Sequence, residues 1–170
     1  CACRGEPALH CGPMQIVIDF LQCCDSAARV ALVRTRERDT SVNLRPVGAE
    51  ALMRWTSPTR GNVPPDVFIP VAEQTGQIKK LTIWALNTAL RQSARWKHPW
   101  GPLSLAVNVP PELVAQHDLP NLVENALELW GHDDHRLVLE ITERSLMDSQ
   151  HSFAILSSIR DMGVKVSIDD

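Results

Sequence analysis

No stretch of this 170-residue chain reaches the roughly 18 consecutive apolar residues that a membrane span requires. The apolar run from Gln15 to Leu21 is too short, contains Asp19 and follows no basic segment, which argues against a signal peptide. The chain therefore reads as cytoplasmic, or as one soluble part of a larger membrane protein. Basic residues are not in excess: 17 Lys and Arg stand against 20 Asp and Glu, for a net charge of −3. That balance excludes a nucleic-acid polymer held by charge alone. It leaves a small phosphate ligand open, because metal ions can supply local positive charge. Cysteine is missing after residue 24. All five cysteines (Cys1, Cys3, Cys11, Cys23 and Cys24) sit before that point, at spacings that match no paired zinc motif. They read as free thiols, which fits a reducing compartment. What remains is an ordinary soluble composition, 44% hydrophobic, with enough apolar material for one core.

Residues 1–45 show no sustained periodicity and read as an irregular lead-in, with a solvated charged patch at Arg34, Arg36, Glu37, Arg38 and Asp39. Regular patterning starts at Pro46. Val47 to Leu52 reads as a buried strand. A loop rich in Pro, Gly, Ser and Thr follows, and Asp66 is placed to cap a short helix from Val67 to Gln74 that Gly76 stops. Ile78 to Trp96 reads as a long helix, with Ile78, Leu81, Trp84, Ala85, Thr88, Ala89 and Trp96 on one face. HPWGP, residues 98–102, breaks it. Leu103 to Asn108 is a second strand, ended by Pro110 and Pro111. Leu119, Leu122, Val123, Ala126, Leu127 and Trp130 step by three and four, the spacing of an amphipathic helix. GHDDH reads as a turn. Leu137 to Thr142 is a third strand, whose nearly continuous apolar run suits cover on both faces. Ser152, Ile155, Leu156, Ile159 and Met162 form another helical stripe, and Gly163 sits where a left-handed cap belongs. Val164 to Ile168 is the fourth strand. Strands alternating with helices at this interval predict an α/β fold with a parallel sheet.

Each strand delivers an oxygen donor at or near its end: Glu50, Asn108, Glu140 with Glu143, and Asp169 with Asp170. Positions 108, 140 and 169 are 32 and 29 residues apart, about one strand–helix–strand unit. Donors delivered at that interval from parallel strands converge at one end of a (β/α) barrel. Glu140 lies within an apolar strand, where a lone carboxylate is costly without a cation or strong donors. Adjacent Asp169 and Asp170 call for a cation as well. An all-oxygen set without His or Cys favours Mg2+ or Mn2+ over zinc. Taken singly, a strand-end acid such as Glu143 is more often a helix cap or a salt-bridge partner; four strands ending alike are harder to explain so.

At these residues the sequence resembles the EAL domain family of cyclic di-GMP phosphodiesterases. The signature stands as Glu50-Ala51-Leu52, and the likeness continues through FIPVAEQTGQI (Phe68 to Ile78), AVN (Ala106 to Asn108), LEITERS (Leu139 to Ser145) and SIDD (Ser167 to Asp170). The resemblance covers residues 46–170 and implies an incomplete TIM-type (β/α) barrel, cut after about the fifth strand. It implies two-metal hydrolysis of cyclic di-GMP to linear pGpG, with two Mg2+ or Mn2+ ions. Glu50, Asn108, Glu140 and Asp169 would hold the first ion; Asp169 would bridge to a second, bound also by Asp170. Glu50, Asp169 and Asp170 would be the catalytic acids. Leu52 and Arg54 would contact substrate, Arg54 at phosphate, and Glu143 would support the site. Trp55 reads as a core residue. The resemblance also implies that a homodimer and an adjacent GGDEF or sensor domain are to be looked for as partners.

Three departures qualify the likeness. The chain starts on Cys1 and stops on the aspartate pair, so both ends read as cut, and the family's later lysine and glutamate are not in it. On that ground the chain alone is expected to hydrolyse cyclic di-GMP poorly. The substrate-contacting glutamine expected ahead of Glu50 has no match. Pro110 stands where the family often has serine. Two other readings stay open: a non-catalytic module that binds cyclic di-GMP or a partner protein, and a gene remnant.

Overall fold

The computed structural model describes residues 27–37, 45–94, 102–130, 135–146 and 149–169. Asp170, the five cysteines, Arg38, Asp39, Trp96, the break at 98–101 and the turn at 131–134 lie outside the described residues. The strands are β1 (Ala27–Glu37), β2 (Arg45–Ser57), β3 (Gly61–Val63), β4 (Leu103–Asn108), β5 (His135–Thr142) and β6 (Lys165–Asp169). The helices are α1 (Pro65–Gln74), α2 (Ile78–Ser93), α3 (Pro111–Val114), α4 (Leu119–Trp130) and α5 (Ser149–Asp161). A 3-10 turn, Glu143–Leu146, follows β5. No described helix is long and apolar enough to cross a membrane.

The chain divides into two compact units. The larger, Val30–Met53 with Lys79–Asp170, contains a sheet path in the order β1-β2-β4-β5-β6. The steps β2–β4, β4–β5 and β5–β6 are all parallel. In register, Glu50 stands beside Ala106, Asn108 beside Glu140, and Thr142 beside Asp169. Side chains alternate between faces along a strand, and burial follows that alternation. Ala49, Ala51, Leu103, Leu105, Val107, Leu137, Leu139 and Ile141 are buried. Their neighbours Glu50, Ser104, Ala106, Asn108, Val138, Glu140 and Thr142 are half-buried or exposed.

Helices cover the buried face over β2, β4 and β5, while on β6 the same face stays open, with Ile168 exposed in a groove it shares with Ile141 and Phe153. Leu81, Ala85 and Ala89 of α2, Leu119, Val123 and Ala126 of α4, and Ile155, Leu156 and Ile159 of α5 are all buried. A small apolar gap shows where they meet the sheet. It is lined by Ile83 and Leu86 of α2, Leu122 and Val123 of α4, Val107 and Leu139. The apolar run of the third predicted strand suits cover on both faces, yet among the described residues only one face is covered. The opposite face carries small or polar residues at its alternate positions, so nothing requires it to be dry.

Gly48 is fixed by close approach. It pairs with Ser104, and a Cβ at position 48 would lie 2.7 Å from the Ser104 carbonyl oxygen. Glycine inside a strand often marks such an approach of another backbone. Gly48→Ala is expected to destabilise the chain by about 1–3 kcal/mol through overpacking, read as a lower midpoint in chemical unfolding. Val109 N–H then donates to the Glu140 carbonyl at 2.8 Å, which carries the β4–β5 ladder past Asn108.

The smaller unit includes the described stretch Arg54–Ile78. The end of β2 turns back antiparallel onto β3, pairing Trp55 with Val63 and Ser57 with Gly61. The Ser57 hydroxyl accepts from the Thr59 and Arg60 N–H groups, and Gly61 takes the positive φ (70°) of this tight turn. Trp55 and Phe68 are buried edge-to-face at 6.0 Å, the expected core role for Trp55.

Several expectations are corrected. The segment before Pro46 is not irregular throughout, since Ala27–Glu37 forms β1 and takes in Arg34, Arg36 and Glu37. Its short apolar run, Val30 to Val33, runs directly into the charged residues that read as a solvated patch. The Pro-rich loop contains a hairpin, because β2 runs on to Ser57. Asp66 does not cap α1: Pro64 holds that position with no side-chain hydrogen bond, and Asp66 lies in the first turn, where its charge suits the helix dipole. The proline pair after Asn108 starts a helix, α3, rather than only ending a strand. Trp84 and Trp130 are half-buried and line a surface groove with Leu129, which is 69% exposed. The Trp130 indole N–H needs a partner and donates to the Asn87 side-chain oxygen at 3.0 Å.

Candidate functional site

Parallel strands present their last residues at a common end, and the register here decides what gathers there. Glu50, Asn108, Glu140 and Asp169 all fall on the uncovered face of the sheet, one on each of β2, β4, β5 and β6. The row across the larger unit therefore reads acid, amide, acid, acid. The Asn108 side-chain N–H donates to a Glu50 carboxylate oxygen at 3.1 Å. Burial first, then the fields of Glu50 and Asp169, hold the Glu140 carboxyl above the ordinary glutamate range.

By the register Glu50 stands level with Ala106, Val138 and Lys165, so in a flat sheet Asp169 would lie three strands over and four residues further along, about 19 Å away at ~4.8 Å per strand and ~3.3 Å per residue. Glu140 lies between them and feels both charges. Among the described residues, no three acidic, imidazole or thiol side chains are drawn together into a finished cage. The ligand set is open, and Asp170 lies outside the described residues. The donors are nevertheless all carboxylate or amide oxygens, the chemistry that suits a hard divalent cation, and their mutual repulsion at Glu140 is what such a cation would relieve.

This repulsion has a definite sign in stability. A carboxyl raised in the folded state holds its proton more tightly there than in the unfolded chain. Metal-free stability therefore falls as pH rises from the ordinary glutamate value through the raised one. In chelator, above that window, Glu140→Gln is expected to melt at or above the parent temperature. A lower midpoint for the variant would show that the charge is already compensated.

The other expected residues are placed as follows. Leu52 follows Glu50 by two on β2 and is half-buried in the same unit. Arg54 belongs to the smaller unit, where it lines a groove of about 530 Å3 with Thr56, Asn62 and Pro64. Glu143 opens the 3-10 turn and is exposed. Two residues not singled out from sequence also bear on the site. Gly48 allows the close β2–β4 approach two residues before Glu50. Thr142, paired with Asp169 on the same face, has its hydroxyl 3.2 Å from that of Ser145. A glycine inside an apolar strand was the available signal for the first; Thr142 gave none.

The EAL domain family model matches residues 39–170. The chain belongs to the EAL domain family. The match begins seven residues before Pro46, where the sequence pattern alone places the start. The oxygen sensor protein DosP of Escherichia coli is 41% identical over 125 residues, which is 72% of this chain and 16% of DosP. MucR of Pseudomonas aeruginosa, named as a bifunctional diguanylate cyclase and cyclic di-GMP phosphodiesterase, is 38% identical over 129 residues, 73% of this chain and 18% of MucR. A solved PaMucR phosphodiesterase in complex with c-di-GMP superposes with a TM-score of 0.78 at 31% identity, covering 93% of this chain and 63% of that one. The EAL chain thus spans under a quarter of these two relatives and shares the α/β fold of part of the solved domain.

Proposed function

We propose that this EAL chain is the metal-binding part of a cyclic di-GMP phosphodiesterase that opens the cyclic dinucleotide to linear pGpG. The observation that carries the reading is that Glu50, Asn108, Glu140 and Asp169 share one face of four neighbouring parallel strands, in a chain similar to proteins named as acting on cyclic di-GMP. Asp170 completes the set. Mg2+ or Mn2+ bound by these oxygens would supply an acidified water and neutralise charge on the phosphate. Glu50, Glu140 and Asp169 would hold the first ion together with the neutral Asn108 amide, and Asp169 would share a second with Asp170. On the family resemblance alone, Leu52 would be a substrate contact and Arg54 would offer a guanidinium matched to a phosphate. Glu143 supports the turn after β5. A homodimer and an adjacent cyclase or sensor domain belong to the same reading, as does a cytoplasmic site of action.

The test is conversion of cyclic di-GMP by the protein carrying these residues, with Mn2+ or Mg2+ and with chelator. Product that appears only with the divalent ion is expected; equal turnover in chelator overturns the proposal. The alternative reading is a module that binds cyclic di-GMP without cleaving it. Saturable binding with no turnover under any ion would select it.

A further inference from the structure

We infer that Asn108 is a positioning residue for Glu50, over and above any oxygen it offers to a cation. This rests on the metal-site reading only in its second readout. The contact is 3.1 Å from the Asn108 amide nitrogen to the Glu50 carboxylate. A carboxylate only accepts, so the amide must present its nitrogen to Glu50, which turns its own oxygen away from that partner. One contact thus fixes the amide plane and occupies one of the two Glu50 oxygens.

The sheet order explains why an amide stands here. β4 lies between β2 and β5, so Asn108 separates Glu50 from Glu140. An aspartate in its place would put acceptor against acceptor at the same distance and make four acids in a row. The backbone beneath is held on both sides: Gly48 lets β2 close onto Ser104, and Val109 N–H ties the end of β4 to the Glu140 carbonyl. Asn108 therefore stands on a fixed strand end from which a single side-chain contact sets the direction of Glu50.

Reversing the polarity of the pair tests this. Asn108→Asp keeps shape and ligand oxygen but loses the donor. Glu50→Gln added to it restores a donor–acceptor pair in the opposite sense, with the original number of acids. In chelator at mildly alkaline pH, Asn108→Asp is expected to lower the melting midpoint by about 2–4 °C. Glu50→Gln is expected to recover most of that loss when combined with Asn108→Asp, and more than it changes the parent. Glu50→Ala combined with Asn108→Asp removes the repulsion but cannot donate, and should recover less. Mn2+ titration supplies the second readout: the swapped pair is expected to bind within about tenfold of the parent, and Glu50→Gln alone to lose about 10–100-fold. Additive midpoints, or equal rescue by Gln and Ala, overturn the positioning role whether or not Mn2+ binds. Coupled midpoints without Mn2+ binding keep the positioning role and sink the metal reading instead. Circular dichroism confirms that each variant is folded before the comparison.

Discussion

Glu50→Ala is expected to lower divalent-dependent hydrolysis of cyclic di-GMP by on the order of a thousandfold, about 4 kcal/mol of barrier. Three features make this a large effect. Glu50 is the only one of the four site donors on β2, so no neighbouring acid on that strand replaces it. It receives the Asn108 N–H, so its removal also frees that amide. Its charge acts on Glu140, so the electrostatics of the remaining row change with it. The measurement is the initial rate of pGpG formation at saturating Mn2+ by folded parent and variant of a longer protein that contains this chain and the family's later lysine and glutamate. Turnover within twofold of the parent would remove Glu50 from the chemistry.

Leu105→Ala is expected to destabilise the metal-free chain by about 2–5 kcal/mol. Leu105 is fully buried in the middle of β4, between Ala49 on β2 and Leu137 on β5, and points to the helix-covered face. The Ala49 methyl cannot refill the space, and Leu137 is itself held in the core. Leu129→Ala, at a position 69% exposed on α4, should stay within about 0.5 kcal/mol of the parent. Urea unfolding followed by circular dichroism separates the two. Similar losses at both positions would mean that the apolar face of the sheet has been assigned to the wrong side. Because the site donors occupy the alternate positions of the same strands, that error would also move them into the core.

The sequence made the site row legible because β-strand chemistry has period two. An Asn or Glu that breaks an apolar run stands out, and the spacing of 108, 140 and 169 marks successive parallel strands. Helix α4 was legible for a similar reason, since its apolar residues step by three and four without interruption. Other features depended on neighbours that a linear reading does not supply. Strand β1 holds a short apolar run, Val30 to Val33, but ends in Arg34, Thr35, Arg36 and Glu37, which look like a solvated patch until the pairing is known. The hairpin at Ser57–Gly61 was masked by Pro58 and Gly61, which serve a tight turn and a long loop equally well. The contact between Asn108 and Glu50 joins residues 58 positions apart, and nothing local to either announces it. Trp84 and Trp130 kept helical spacing yet stop at the surface, because a bulky ring with a polar edge settles where one side is apolar and the other wet.

The most direct test of the central claim is a calorimetric Mn2+ titration of the folded chain, repeated with Glu50→Ala and with Asp169→Ala. These two acids stand on β2 and β6, at opposite ends of the row. If the four strand ends serve one centre, the parent binds Mn2+ saturably and each substitution, alone, weakens that binding by at least about tenfold. Absence of saturable binding by the folded parent, or affinity unchanged by both substitutions, would contradict the account.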